Sequence, residues 1–290
     1  MPPSGRLFRR LAAAGTGMIL ALALTACLGI DPGQKRSASS SLSPMPSPTP
    51  TTTTTPPPRP VPPPASGICR RLTYGQIGRF SNASPKVSCA ALHTAYTYAV
   101  SRLPRSLSGS LDSDRVQNAA QISCRRSFDK YLGGDATARA TTRLTPTYFL
   151  PRARAFANGT RWVRCDVVAL LAPHKLASLP SSSLRGLLDD PTLSASYAVC
   201  SQGRPGDPGS VLVICSETHS YRAVTAILLG GADVPLPAGG QLDKPKTICR
   251  QLVAKLLGVD GGFSFVFTYP SQRQWNNGQR YGLCWNGQAS

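Results

Sequence analysis

The spacing of apolar and polar positions divides the chain into three regimes. A basic start leads into an apolar run from Leu11 to Ala26. Residues 31–66 then carry almost no large apolar side chain. After Gly67 the pattern becomes periodic. Val116, Ala120, Cys124 and Phe128 recur every fourth residue, Leu132 closes the stripe, and Gly133-Gly134 ends it, which predicts a helix. Ile248, Cys249, Leu252, Val253, Leu256 and Leu257 predict one apolar face of a second helix, ended by Gly258. Tyr96 to Leu103 and Tyr221 to Leu229 read as strands, as do the stretches entering Cys89 and Cys215. Asn158-Gly159 and Asn277-Gly278 read as hairpin turns, each followed by a last strand. The expected class is α+β, with small antiparallel sheets and one main helix in each.

The periodic part repeats itself. Cys69, Cys89, Cys124 and Cys165 are separated by 20, 35 and 41 positions; Cys200, Cys215, Cys249 and Cys284 by 15, 34 and 35. Cys89 to His93 and Cys215 to His219 are both Cys-x-x-x-His. Thr147-Tyr148 followed by Pro151 parallels Thr268-Tyr269-Pro270. Phe156 to Cys165 and Trp275 to Cys284 both read aromatic-x-Asn-Gly-x-Arg-aromatic-x-x-Cys. Two homologous modules follow, residues 67–170 and 197–290, with 171–196 as the linker between them.

Nine cysteines leave one beyond the two sets of four. It is Cys27, at the end of Leu24-Thr25-Ala26-Cys27. Arg6, Arg9 and Arg10 before an apolar run of 16 residues make a signal peptide, since a spanning helix needs about 20. The tetrapeptide resembles the lipobox of bacterial lipoproteins. That resemblance implies cleavage after Ala26, a diacylglycerol on Cys27, and an extracytoplasmic, membrane-anchored protein. Residues 1–26 are then the signal and 27–66 a lipidated tether. Its Ser, Thr and Pro cannot offset the entropy of ordering. As polyproline II at about 3.1 Å per residue, it reaches roughly 110 Å.

Export makes disulfides the expected state of the other eight cysteines. Four cysteines allow three pairings in a module, and spacing does not choose among them. Cys89 with His93, or Cys215 with His219, is half of a tetrahedral zinc site and has no Cys-x-x-Cys to complete it, so no metal or other cofactor is expected. Glu217 beside His219 is the one candidate acid–base pair, and Ala91 stands at the matching position of module 1. No nucleophile triad, phosphate loop or zinc-hydrolase motif accompanies it. The expectation is therefore a non-enzymatic protein, with an envelope hydrolase or transferase using Glu217 and His219 as the alternative.

The net charge of +19 is unevenly spread. Module 1 holds 16 Lys+Arg against 5 Asp, so it alone carries +11. Such a surface suits anionic lipid, a phosphorylated wall polymer or an acidic envelope protein; export argues against nucleic acid. Arg152, Arg154 and Arg161, with His93, His219 and Glu217, are the candidate binding residues, the arginines because a guanidinium donates a planar pair of hydrogen bonds to phosphate or carboxylate.

Gly67-Ile68-Cys69, Cys215-Ser216-Glu217-Thr218-His219, the helical Cys249, Tyr269-Pro270 and the stretch Trp275 to Cys284 together resemble the septum-formation domain family of bacterial envelope proteins. Module 2 is the nearer match; module 1 departs at Leu92 and in an Arg-rich insertion before Tyr148. The resemblance implies a link to septum formation or cell division, through binding or scaffolding, and no particular reaction.

Overall fold

A computed structural model describes residues 59–107 and 109–287. Residues 1–26, read above as a signal, Cys27 and most of the stretch read as a tether lie outside the described residues. The chain divides into units 1–55 and 56–290, and every described residue belongs to the second. No described helix is long and apolar enough to cross a membrane.

Module 1 opens with strand β1 (Cys69–Arg70), the short helix α1 (Tyr74–Ile77), β2 (Lys86–Val87) and β3 (Ala95–Arg102). The long helix α2 (Asp114–Leu132), α3 (Ala136–Ala140), β4 (Leu144–Phe149), α4 (Ala153–Ala157), β5 (Trp162–Ala172) and β6 (Lys175–Leu176) follow. Helix α5 (Pro191–Ser196) leads into module 2. That module has β7 (Val199–Ser201), β8 (Leu212–Ile214), β9 (Tyr221–Leu228), α6 (Asp243–Leu257), β10 (Phe265–Thr268), α7 (Gln272–Asn276) and β11 (Tyr281–Gly287).

The two sheets are antiparallel and share one topology. Module 1 runs β2-β1-β3-β5-β4, with β6 on β5, and module 2 runs β8-β7-β9-β11-β10. Each has a bulge beside the fourth cysteine. Thr97 pairs with Asp166 and Ala99 with Cys165, so Tyr98 is extra; Ala223 pairs with Trp285 and Thr225 with Cys284, so Val224 is extra. The modules are α+β, and each is stabilised by its own pair of disulfides. First cysteine joins second and third joins fourth in both: Cys69–Cys89 and Cys124–Cys165, then Cys200–Cys215 and Cys249–Cys284.

Period-2 alternation along the last strand sorts the core into two faces. In β5, Val163, Cys165, Val167 and Ala169 meet α2, whose buried residues are Val116, Ala120, Cys124, Phe128, Tyr131 and Leu132. On the opposite face Val168 joins Leu72, Ala95 and Phe149. A fully buried Leu, Val or Phe contributes about 1.5–3 kcal/mol, so this stripe is what holds α2 down.

Three sequence expectations change in the folded chain. Asn158-Gly159 and Asn277-Gly278 are not two-residue hairpin turns. Each asparagine is the C-cap of a one-turn helix, α4 or α7. The glycine N–H bonds Phe156 O or Trp275 O with φ of +86° or +88°, the left-handed end of a helix. The Thr-Tyr pairing of the modules also shifts. Tyr148 and Phe267 both sit opposite the fourth cysteine, so Thr147-Tyr148 matches Val266-Phe267; only Pro151 and Pro270 keep the expected equivalence. Finally, α6 does not bury its whole apolar face. Among its residues only Cys249 and Val253 are buried, and Ile248, Leu252, Leu256 and Leu257 are exposed. The seam against β11 is one row wide, so the neighbouring row stays in solvent.

The segment 171–196 is more than a connection. It extends β5, turns at His174 into β6, and buries Ala177, Leu179, Leu184, Leu187 and Leu188 in the core over α2. Gly186 N–H donates to Tyr131 O, and Gly134 N–H to Asp189 Oδ1. Module 2 then joins the same core: Thr142 bridges Ala198, Arg143 N–H bonds Tyr197 O, Val199 N–H bonds Thr141 O, and Ile214 is buried among module 1's side chains.

Gly159→Ala and Gly278→Ala meet no atom within 4 Å of the added methyl. Each should therefore cost only the backbone term for a left-handed residue, about 1–2 kcal/mol, in urea unfolding monitored by circular dichroism.

Candidate functional site

The two Cys-x-x-x-His motifs form the same turn. Ala91 N–H bonds Ser88 O, and Glu217 N–H bonds Ile214 O. Each histidine then turns back on its own loop: His93 Nδ1 donates to Ala91 O at 2.9 Å and His219 Nδ1 to Glu217 O at 2.7 Å. The contact between Glu217 and His219 therefore uses the backbone carbonyl of Glu217, and alanine serves equally at that place in module 1. His93 is buried and Glu217 exposed. A ring nitrogen of His219 and the sulfurs of Cys200 and Cys215 come within 4.8 Å of one another. Both sulfurs are spent in one disulfide, and a metal takes thiolates, so these three atoms are the packing of a histidine on a bridge.

The repeated arginine before the last strand is a brace. Arg161 lies over the Phe156 ring at 4.0 Å, and its Nη1 donates to Phe156 O and Thr160 O. Arg280 lies over Trp275 at 4.4 Å and donates to Trp275 O, Gln279 O, Gly231 O and Ala232 O. The stacked aromatic is buried in both modules. The shared aromatic-x-Asn-Gly-x-Arg pattern thus encodes a corner, with cation–π stacking and carbonyl contacts closing it.

The free cations lie elsewhere. Arg152 and Arg154 at the start of α4 are exposed and carry no ion pair among the described residues. Arg102 and Arg105, also exposed, line a cleft of about 330 Å³ together with Gly159, Thr160, Arg161 and Trp162. Pro60, Val61 and Pro63 line it too, and Val61 N–H donates to Thr160 Oγ1, so the stretch just before Gly67 is part of the site. Among the described residues only Arg139 (to Asp129, 3.9 Å) and Arg164 (to Asp166, 3.0 Å) have an acid within reach. The arginine surface of module 1 is therefore largely uncompensated, a field that attracts anions.

A charged cluster inside module 1 has no counterpart in the other. Asp166, wholly buried, accepts from Thr97 Oγ1 at 2.7 Å and pairs with Arg164; Arg70 Nη1 donates to Thr97 Oγ1 at 2.7 Å. Arg164 also reaches Asn82 and lies over Phe149 at 4.3 Å. Burial lowers the Arg164 pKa from its ordinary value, and Asp166 opposes that shift. The corresponding positions of module 2 are Trp285, Ala223, Ser201 and Leu283, an apolar set apart from the serine. The sequence reading missed this cluster. Its signal was Arg164-Cys-Asp166 inside a strand that is otherwise apolar from Trp162 to Leu171.

Two cysteine-bridged modules with one topology, a histidine turn and an arginine corner are what the comparison with known families recovers. The family described as septum formation matches residues 66–284, a span that takes in both modules. The chain belongs to the septum-formation family. No curated protein and no solved structure matches it. In this septum-formation chain, the motifs that carried the resemblance are structural: bridges, turns and corners. The residues free to meet a ligand, such as Arg102 and Arg105, lie outside them.

Asp166→Ala leaves Arg164 buried without its counter-charge and should destabilise the protein by about 3–5 kcal/mol. Arg164→Leu, which installs module 2's own residue, strands Asp166 and should cost a similar amount. Chemical denaturation of the two variants checks both values.

Proposed function

We propose that this chain is an envelope lipoprotein, held at the extracytoplasmic face of the cell membrane through Cys27, whose two modules bind and scaffold at the division septum. Module 1 takes an anionic wall polymer. The observation that carries this reading is the cleft lined by Arg102, Arg105 and Trp162, with no carboxylate among the described residues within ion-pair distance of either arginine. A concave site lined by two exposed guanidiniums suits a polymer of sugars and phosphates, since arginine forks onto phosphate. Membership of the septum-formation family supports the link to the septum, and the lipobox-like Leu24-Thr25-Ala26-Cys27 supports the anchor. The tether lets the cleft work at a distance from the bilayer, in the wall.

Binding of purified protein to phosphate-containing wall polymer should weaken as salt rises, because exposed charges are screened beyond about 10 Å at 0.1 M ionic strength. Arg102→Gln with Arg105→Gln should remove most of that salt dependence while leaving the unfolding midpoint unchanged. Salt-independent binding, or binding unaltered in the double variant, contradicts the assignment. Separately, Cys27→Ala should abolish incorporation of labelled fatty acid and move the processed protein out of the membrane fraction.

A further inference from the structure

The row on α6 that stays in solvent is apolar, and it is bordered by cations. Ile248, Leu252 and Leu256 follow one another at i, i+4 and i+8, with 38%, 37% and 62% of their surface exposed. Leu257 (38%), the last residue of the helix, and Val259 (39%) just beyond it continue the patch. Lys244 opens the same row one turn earlier and Lys255 stands on the adjoining row, whereas Lys246 and Arg250 lie beyond the buried Cys249–Val253 row, Arg250 over the Phe263 ring. None of the four has an ion-pair partner among the described residues. Asp243, at the first turn, is the only acid on the helix.

The other module shows what this row looks like when the fold itself uses it. With Cys249 matched to Cys124, the row Ile248, Leu252, Leu256 falls on Ser123, Ser127 and Tyr131. Ser123 Oγ bonds Ser101 Oγ, and Ser127 Oγ bonds Ser123 O. Tyr131 is buried, stacks on Tyr98 and lies under Arg185. In module 1 the row is polar and self-satisfied, or covered by residues 177–190. In module 2 it is aliphatic, and nothing described covers it.

We propose that α6 is a membrane-contacting helix that lays Ile248, Leu252 and Leu256 into an anionic lipid surface, with Lys244 and Lys255 among the headgroups. An exposed helix with an apolar row and flanking cations is built for that interface. The charges choose the occupant. A second copy would set these cations against themselves, and an acidic lipid surface complements them. The proposal adds a second, reversible contact to the anchor proposed at Cys27 and does not depend on it. A tethered protein would lie down on the bilayer through module 2 or stand off into the wall.

Hydrogen–deuterium exchange on the full-length protein tests this, with phosphatidylcholine vesicles, with vesicles containing phosphatidylglycerol, and without vesicles. Exchange across 248–259 should slow on the anionic vesicles alone and recover at high salt. Lys244→Gln and Lys255→Gln should each weaken vesicle binding roughly fivefold. Ile248→Ser with Leu252→Ser, which copies Ser123 and Ser127 of module 1, should abolish the protection while all four bridges stay formed. Equal exchange on both lipids, or protection that survives the serine pair, overturns the proposal. So does protection by soluble polyglutamate in place of lipid, or protection that grows with protein concentration alone. Flotation of the same samples with neutral vesicles reads the Cys27 anchor independently, so failure of one leaves the other measurable.

Discussion

Each module depends on the clamp between its long helix and its last strand. Cys124–Cys165 ties α2 to β5, and Cys249–Cys284 ties α6 to β11. These strands sit inside their sheets, paired on both sides, so a helix fixed to them has its height and rotation set relative to every other strand. The bulge beside each fourth cysteine belongs to this arrangement. It places Tyr98 to donate to Cys124 O in module 1 and Val224 to pack near Cys249 in module 2. A module of about 100 residues has a modest core, and a bridge closing a loop of 35 or 41 positions removes much of the freedom of the unfolded chain.

From this common frame the modules diverge on the surfaces the clamp leaves available. Behind the sheet, module 1 buries Arg70, Thr97, Arg164 and Asp166, where module 2 packs Trp285 and Leu283. A buried ion pair adds less stability than a well-packed apolar side chain, so its retention in one copy only points to a demand for orientation there. In front of the sheet, module 1 covers its helix with residues 177–190, and module 2 leaves an apolar row bare. Duplication has thus yielded one copy closed on its helix side and rich in free arginines, and one copy open on its helix side.

This division shows what the shared motifs do in both modules. A residue pattern that occurs in both modules reports what both need, namely two bridges, a histidine turned onto a carbonyl and an arginine braced on an aromatic ring. Arg161, attractive as a phosphate ligand by type, is committed to Phe156 and the carbonyls around it. Arg102 and Arg105, outside any repeated pattern, are the ones left free at a cleft.

The sequence by itself determined the duplication, the α+β class, the helices that carry the third cysteine and the inward direction of Cys124 and Cys249, because periodicity and cysteine spacing are properties of the chain alone. It also carried the family resemblance. Only the tertiary structure decided which cysteines pair, since three pairings satisfy the same spacing. It decided that Asn-Gly ends a helix, because the same φ > 0 glycine serves a hairpin or a helix terminus until its N–H finds a partner. It decided that α6 buries one row and not two, because apolar periodicity shows which faces can be buried and is silent on how many neighbours arrive to cover them.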